Sequence, residues 1–272
     1  MPRLASIFKV HLPQILRFGA KNVWAVTGRG NFFSVGELKK RIAMLYLWNS
    51  DVLRSGGSSV LPECTSTKVE QERLMAERIG TITRKTRETQ ISVTLKLDGS
   101  GVSAIETPIP FLDHMLELFA RHGFFDLEVR AKGDVEVDYH HTMEDLGMVL
   151  GEALNAALGD RSGIRRYGSF LLPMDETLVL VALDLSGRCG LYYDVTPPAA
   201  MVKDIDARLF EEFWRAFCNR CGLNMHIKML AAGENHHLFE AIFKGIAKAL
   251  DQAVSVDPRI SGVLSTKGSL DL

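Results

Sequence analysis

Two strings in this chain share one form, His140-His141-Thr-Met-Glu144 and His236-His237-Leu-Phe-Glu240, set 96 residues apart. Together they use four of the chain's eight histidines. Their surroundings repeat too: Arg121-His122-Gly123 closes one apolar-periodic segment as Arg220-Cys221-Gly222 closes another. Each closure leads into a strand-like run, a polar loop and then the histidine pair. Self-similarity over this span is the mark of a duplicated supersecondary unit. The expected fold is therefore α+β, with two repeated half-domains, each an antiparallel or mixed sheet with two helices, packed around shared helices.

The local patterning supports this. QISVTLKLD alternates Ile91, Val93, Leu95 and Leu97 on one face, as a half-buried strand does. PFLDHMLELFARHGFF spaces Phe111, Met115, Leu118 and Phe119 as a helix, with Gly123 placed to end it. DLEVRAKG reads as a strand, and HHTMEDLGMVLGEALNAALG as a helix stopped at Gly159. Strands follow in YGSFLLP, TLVLVALDL and LYYDV, then a helix in DARLFEEFWRAFCNRCG, a strand in LNMHIKML and a last helix in NHHLFEAIFKGIAKALDQAV.

The first 75 residues differ from this regular part. Residues 1 to 36 hold five Lys or Arg and no acid, and SGGSSVLPECTST from Ser55 to Thr67 has linker composition. We read residues 1–75 as an N-terminal extension, disordered or ahead of a misassigned start, and residues 76–272 as one domain with halves at roughly 76–165 and 166–272. An organellar transit peptide is the alternative for the basic start, but the Ser-rich pattern of such peptides is missing. Gly28-Arg-Gly30 lacks the third glycine of a phosphate loop.

Composition narrows the partners. With 32 basic and 33 acidic residues the net charge is -1, so no global field draws the chain to nucleic acid or to an anionic membrane. No apolar run is long enough to span a bilayer. A small-molecule partner and a cytoplasmic location are expected. Cys64, Cys189, Cys218 and Cys221 are too few and too uneven for a disulfide framework. Cys218-x-x-Cys221 has neither a second pair nor a thioredoxin-like context, and reads as helix-face packing.

The histidines carry the chemistry. On a helix, His140 and Glu144 share a face, while His141 diverges from His140 by about 100°. If both members of a pair bind metal, two sites result, each built from parts of both repeats. His114 and His226 bring the inventory to six imidazoles and two carboxylates without a thiolate. That set suits manganese, iron, cobalt, nickel or zinc as a divalent ion. Local capping could explain one such pair, but two identical strings at matching places in a repeat are poorly explained that way.

Seven separated motifs then occur in order: PFLDHM (110–115), DYHHTMEDLG (138–147), GIRRYG (163–168), PMDE (173–176), LDLSGR (183–188), GENHHLFEAIFK (233–244) and STKG (265–268). From Ala76 to Leu272 the chain resembles the imidazoleglycerol-phosphate dehydratase family of histidine biosynthesis. Some members carry an upstream phosphatase domain; its Asp-x-Asp-x-Thr string is absent, so the chain resembles the monofunctional dehydratase. The resemblance implies halves like ribosomal protein S5 domain 2, a 24-subunit shell with sites between neighbouring subunits, and two manganese ions per site. Its implied metal ligands are His114, His140, His141, Glu144, His226, His236, His237 and Glu240. Glu88 is the implied acid/base and contacts substrate, as does His114, while Arg166, Arg188, Ser265 and Lys267 match phosphate-binding positions. The implied reaction dehydrates imidazoleglycerol phosphate to imidazoleacetol phosphate through an imidazolate held between two divalent ions. After LSGR the family usually continues with Pro and an aromatic, where this chain has Cys189-Gly190. Two other readings share some of these features: a dinuclear metallohydrolase acting on a phosphorylated substrate, and a noncatalytic metal-binding shell protein.

Overall fold

The computed structural model describes residues 77–270 and, earlier in the chain, three short strands. The chain divides into two units, Met1–Glu70 and Gln71–Leu272. In the first unit, β1 (Ile15–Phe18), β2 (Asn22–Val26) and β3 (Phe32–Ser34) form an antiparallel sheet in that order. The expected linker at Ser55–Thr67, Cys64 and Gly28-Arg-Gly30 lie outside the described residues, as does most of the expected extension.

The second unit runs β4 (Ile79–Lys85), β5 (Thr89–Lys96), β6 (Ser103–Glu106), α1 (Pro110–Gly123), β7 (Asp126–Gly133) and α2 (His140–Leu158). It then runs β8 (Tyr167–Met174), β9 (Thr177–Asp184), β10 (Gly190–Asp194), β11 (Met201–Val202), β12 (Ile205–Asp206), α3 (Leu209–Cys221), β13 (Asn224–Ala231) and α4 (Asn235–Val254). The two main sheets have orders β4-β5-β7-β6 and β8-β9-β13-β10. In each, two antiparallel pairings are followed by one parallel pairing, β6 with β7 and β10 with β13. A single helix, α1 or α3, makes each parallel crossover, as parallel neighbours require. The second unit is two copies of one topology, with β4, β6, β11 and β12 added to the elements expected from periodicity.

The correspondence extends to individual residues. Thr89, Ile91, Val93 and Leu95 are the buried positions of β5, and Thr177, Val179, Val181 and Leu183, each 88 residues on, are those of β9. The buried positions of α2 recur 96 residues later in α4, with one exception: Glu144 is exposed and Glu240 is buried. Gly80 and Gly168 also correspond. A Cβ on Gly80 would lie 1.9 Å from the carbonyl oxygen of Ala153, and one on Gly168 would lie 1.8 Å from that of Ala249. Each half therefore seats its first strand directly on the backbone of its last helix.

The buried faces of α1 and α3 match at a spacing of 98, as Leu112, Met115, Leu116, Phe119 and Ala120 match Phe210, Phe213, Trp214, Phe217 and Cys218. This corrects the motif alignment by one residue. Gly123 is the last helical residue of α1, and the left-handed cap falls on Phe124 at φ 57°, where α3 uses Gly222 at φ 64°. Gly123 is needed for packing, since a Cβ there would stand 2.3 Å from the Phe125 ring. Lys248 places its ammonium 4.3 Å from the centre of the Phe124 ring, which helps hold the unusual cap.

The helices pair across the halves: α1 packs on α4, and α2 on α3, while α2 covers β4 and β5 and α4 covers β8 and β9. Helices thus line the inner face of each sheet, and neither half closes its core alone. Phe210 stacks on Phe239 at 3.9 Å and meets Phe111 edge-on at 5.9 Å. Trp214 lies against Phe119, Phe213, Phe217 and Phe243. Cys218 and Cys221 are buried in this layer, where burial pushes the Cys221 thiol up to about 12, in keeping with a packing role. The sheets' outer faces differ. β5 turns out Gln90, Ser92, Thr94 and Lys96, where β9 turns out Leu178, Leu180, Ala182 and Asp184.

The spacing grows from 88 in the early strands to 98 at α3, so the second half carries 98 - 88 = 10 additional residues between β9 and α3. The β11–β12 hairpin lies in that insertion. It touches both histidine strings. Tyr139, just before His140, donates its hydroxyl to Asp204 at 2.7 Å. Asn235, just before His236, donates to the carbonyls of Ala199 and Met201 and accepts from the Ala199 N–H.

Candidate metal and substrate site

Each histidine string begins its helix, and in both pairs the neighbouring rings diverge. The planes are 79° apart for His140 and His141 and 87° apart for His236 and His237. Because α1 crosses α4, His114 reaches the second string. His114 Nε2 lies 2.8 Å and His236 Nε2 3.2 Å from one oxygen, Glu240 Oε1. His114, His236 and Glu240 form one group of donors close enough to share an ion, and it draws on both repeats. Phe111 packs edge-on against His236 at 5.3 Å and ties the group to the aromatic core.

Glu240 is held as an anion before any metal arrives. Burial pushes its carboxyl up, but Lys244 at 2.6 Å and the imidazoles of His114 and His236 outweigh burial and hold it at about 2. Two imidazole nitrogens facing one carboxylate oxygen, without a thiolate, suit a borderline divalent ion. The residues fit the metal that the donor set implies.

In the first string His140 Nε2 stands 3.7 Å from Glu144 Oε2, both half exposed. The position matching His114 is Glu212, which faces Arg215 at 3.7 Å. No third donor joins His140 and Glu144 among the described residues. The second histidine of each pair has a carboxylate partner on Nδ1. For His141 it is Asp134, at 3.0 and 3.2 Å, and for His237 it is Glu176, at 2.9 and 3.1 Å. These hydrogen bonds raise both histidines above their ordinary range, and the bond to His237 holds Glu176 at about 2. Asp175, Glu176 and His237 make the other group of closely placed donors. His226 belongs to neither group; on β13 its ring stacks on Tyr192 at 4.3 Å.

Glu88 occupies the β4–β5 turn. Thr86 Oγ1 accepts from its backbone N–H, and Thr89 donates to the Asp145 carboxylate on α2, which Arg84 also binds at 3.0 Å. The turn bearing Glu88 is therefore tied to the helix bearing the first histidine string. Arg166 stands at the other end of the half, in the left-handed region at φ 71°. That conformation is uncommon for a non-glycine residue and is typical of sites that hold a side chain in one direction. Its guanidinium grips Asp184 at 2.6 and 2.9 Å and donates to the Leu264 carbonyl at 2.7 Å. Beside it is a cleft of about 570 Å³ lined also by Arg259, Ser261, Ser265 and Thr266. Lys267 follows on the same segment, its N–H bonded to Ser265 Oγ, and Arg188 lies exposed in the β9–β10 turn.

Sequence reasoning assigned no role to Asp134, Glu176, Lys244, Asp145 or Asp184. Lys244 had a local signal, since it stands four residues after Glu240 on one helix face. Asp134 reaches His141 through the strand-to-helix turn, and pattern alone does not show that contact.

A sequence profile described as imidazoleglycerol-phosphate dehydratase matches residues 107–250. An imidazoleglycerol-phosphate dehydratase of Geobacter metallireducens is 54% identical over 193 residues, covering 71% of this chain and 99% of that protein. One of Lachnoclostridium phytofermentans is 55% identical over 194 residues, with 71% and 99% covered. Among solved structures, the dehydratase of Staphylococcus aureus superposes with a TM-score of 0.60 at 36% identity, over 66% of this chain and 99% of that one. The Pyrococcus furiosus enzyme in complex with (S)-C348 gives 0.61 at 35%, over 70% and 100%.

Proposed function

The chain belongs to the imidazoleglycerol-phosphate dehydratase family, and from that premise we propose that it converts imidazoleglycerol phosphate to imidazoleacetol phosphate, a manganese-dependent step of histidine biosynthesis. The observation that carries the metal-dependent part is the meeting of His114 with His236 and Glu240, which the fold achieves only by crossing helices between the repeats.

The ligands in this reading are His114, His140, His141, Glu144, His226, His236, His237 and Glu240, serving two ions per site. When bound, such ions supply Lewis acidity toward the substrate's imidazole ring, the only electron sink beside a carbon with no carbonyl neighbour. Glu88 moves the proton at that carbon, and its turn is tied through Thr89 and Asp145 to the helix that begins with the first histidine string. Arg166, Arg188, Ser265 and Lys267 bind the phosphate. Asp184 and the Leu264 carbonyl use three of the five N–H groups of Arg166 and fix its plane, so the others approach phosphate in one orientation. Binding energy at the phosphate, away from the reacting carbon, aligns the ring for the step.

Self-association into a 24-subunit shell accords with two features. Among the described residues the first string has no third donor, and the outer face of the second sheet exposes Leu171 and Leu180 side by side. The location in this reading is the cytoplasm, and residues 1–75 are dispensable for turnover. Among the described residues no helix is long and apolar enough to cross a membrane.

The test measures the metal content of purified protein and its product from imidazoleglycerol phosphate with manganese. Imidazoleacetol phosphate formed only with metal is expected. Free phosphate without that ketone would overturn the dehydratase reading in favour of a hydrolase.

A further inference from the structure

Glu88 and Glu176 are the same residue of the repeated unit. Lys85 pairs with Gln90 across the β4–β5 turn and Pro173 pairs with Leu178 across the β8–β9 turn, so the two turns align at a spacing of 88. They have nevertheless taken different partners. In the second half Thr177 donates to Glu176 at 3.2 Å, and Glu176 accepts from His237 Nδ1. In the first half Thr89, the counterpart of Thr177, donates instead to Asp145, whose counterpart in α4 is Ala241. His141, the counterpart of His237, bonds Asp134, whose backbone N–H is in turn bonded to the Glu88 carbonyl at 3.1 Å. Among the described residues the Glu88 carboxylate takes part in no hydrogen bond.

We propose that Asp134 and Glu176 are positioning residues that hold His141 and His237 by Nδ1 and so present Nε2 to metal, and that recruitment of Asp134 is what releases Glu88 for proton transfer. The inference rests on the metal-dependent reading above. A carboxylate on Nδ1 fixes the tautomer and ring direction of a ligating imidazole, and its loss typically costs about 10- to 100-fold in metal affinity. Both bonds are built into the local backbone. A Cβ on Gly133 would collide with Thr142 Oγ1 at 1.9 Å, so glycine there allows β7 to end against the start of α2, with Asp134 beside His141. A Cβ on Gly233 would lie 2.5 Å from Glu176 Cγ, so glycine there makes room for the orienting side chain.

The experiment titrates the full chain with manganese(II), reading affinity and stoichiometry, and records the absorption of the cobalt(II)-loaded protein. Asp134→Ala and Glu176→Ala should each weaken one class of site by about 10- to 100-fold. Asp134→Asn and Glu176→Gln keep an oxygen for Nδ1–H and should retain most of the affinity and the cobalt spectrum. Glu88→Ala should bind metal as the parent does while losing turnover. The altered side chains are partly exposed, 21% for Asp134 and 43% for Glu176, so the substitutions leave the core intact. Parental affinity in both alanine variants would overturn the proposal, as would loss of affinity in Glu88→Ala equal to that in Asp134→Ala. If Glu176→Gln loses as much as Glu176→Ala, Glu176 is a ligand and not a positioning residue. A parent chain that binds no manganese overturns the metal-dependent reading itself, a result distinct from each of these.

Discussion

The two histidine strings share one His-His-x-x-Glu form and are unequal in setting. The second is largely assembled within one chain: Glu240 is buried, paired with Lys244 and faced by His114 and His236. The first is open: Glu144 is exposed, Met148 stands where α4 has Lys244, and Glu212 stands where α1 has His114. Duplication supplied two frames of the same shape, and substitutions at a few positions turned one into a preformed donor cluster and the other into a surface with an unattached carboxylate beside it. Identical frames fix where a side chain begins, while its neighbours decide what it does.

Removing the donor that makes the second string complete should have the largest effect. His114→Ala should weaken metal at one class of site by more than the about 10- to 100-fold expected of an outer-shell change, read by manganese titration. Unchanged affinity would show that the two strings are equally open. The frames themselves are tested next. Gly80→Ala and Gly168→Ala each drive a methyl into a helix carbonyl and should each cost about 3 kcal/mol, seen as similar drops in thermal midpoint. A large loss from one and none from the other would break the equivalence of the halves.

Lys244→Met gives the second half the residue that the first half has. With both partners mostly buried, the loss should be about 2 kcal/mol, below the range for a fully buried pair, because some solvent remains. Its pH signature is specific. In metal-free protein Glu240 sits at about 2, below the ordinary 4.5, so its contribution is complete above 4.5 and is lost as pH falls toward 2. His141 and His237 are raised above 6.5, so theirs is complete below 6.5 and is lost as pH climbs through the raised values. From these groups the metal-free chain should be most stable between pH 4.5 and 6.5. Added divalent ion should shift that optimum upward, since ligation needs unprotonated imidazole. Lys244→Met should raise the pH of acid unfolding, and a midpoint that stays put would mean the ammonium does not hold Glu240 down. The smallest effect belongs to the outer faces. Ser92→Lys on the first sheet should change stability by no more than about 0.5 kcal/mol and leave light scattering unaltered. Leu180→Lys, at the corresponding place on the second sheet, should shift the scattering to smaller species.

Much of the fold was legible because it is periodic. The alternation in QISVTLKLD and TLVLVALDL and the four amphipathic helices each carry a burial signal of their own. β4 escaped because IGTITRK buries little besides Gly80, and β6 is only four residues long. The one-residue slip at Gly123 arose because glycine near a helix end normally marks the left-handed cap. Here contact with Phe125 demanded the glycine, and Phe124 took the strained position. For the site, the histidine strings were visible as local repeats. The choice between Asp134 and Glu88 as partner of His141 was not, since it depends on how two turns and a helix start meet in space.

The β11–β12 hairpin is the one place where the second copy outgrew the first, and it is bonded to the residue preceding each histidine pair, Tyr139 and Asn235. A duplicated unit inherits its own internal distances, and its distance to its twin is set by contacts between the copies, the α1–α4 and α2–α3 packing and this hairpin among them. The hairpin acts as a crossbar between the two, so the spacing of the strings depends on a segment with no counterpart in the repeat. Shortening that crossbar would therefore act on the starts of both strings through a segment that belongs to neither repeat.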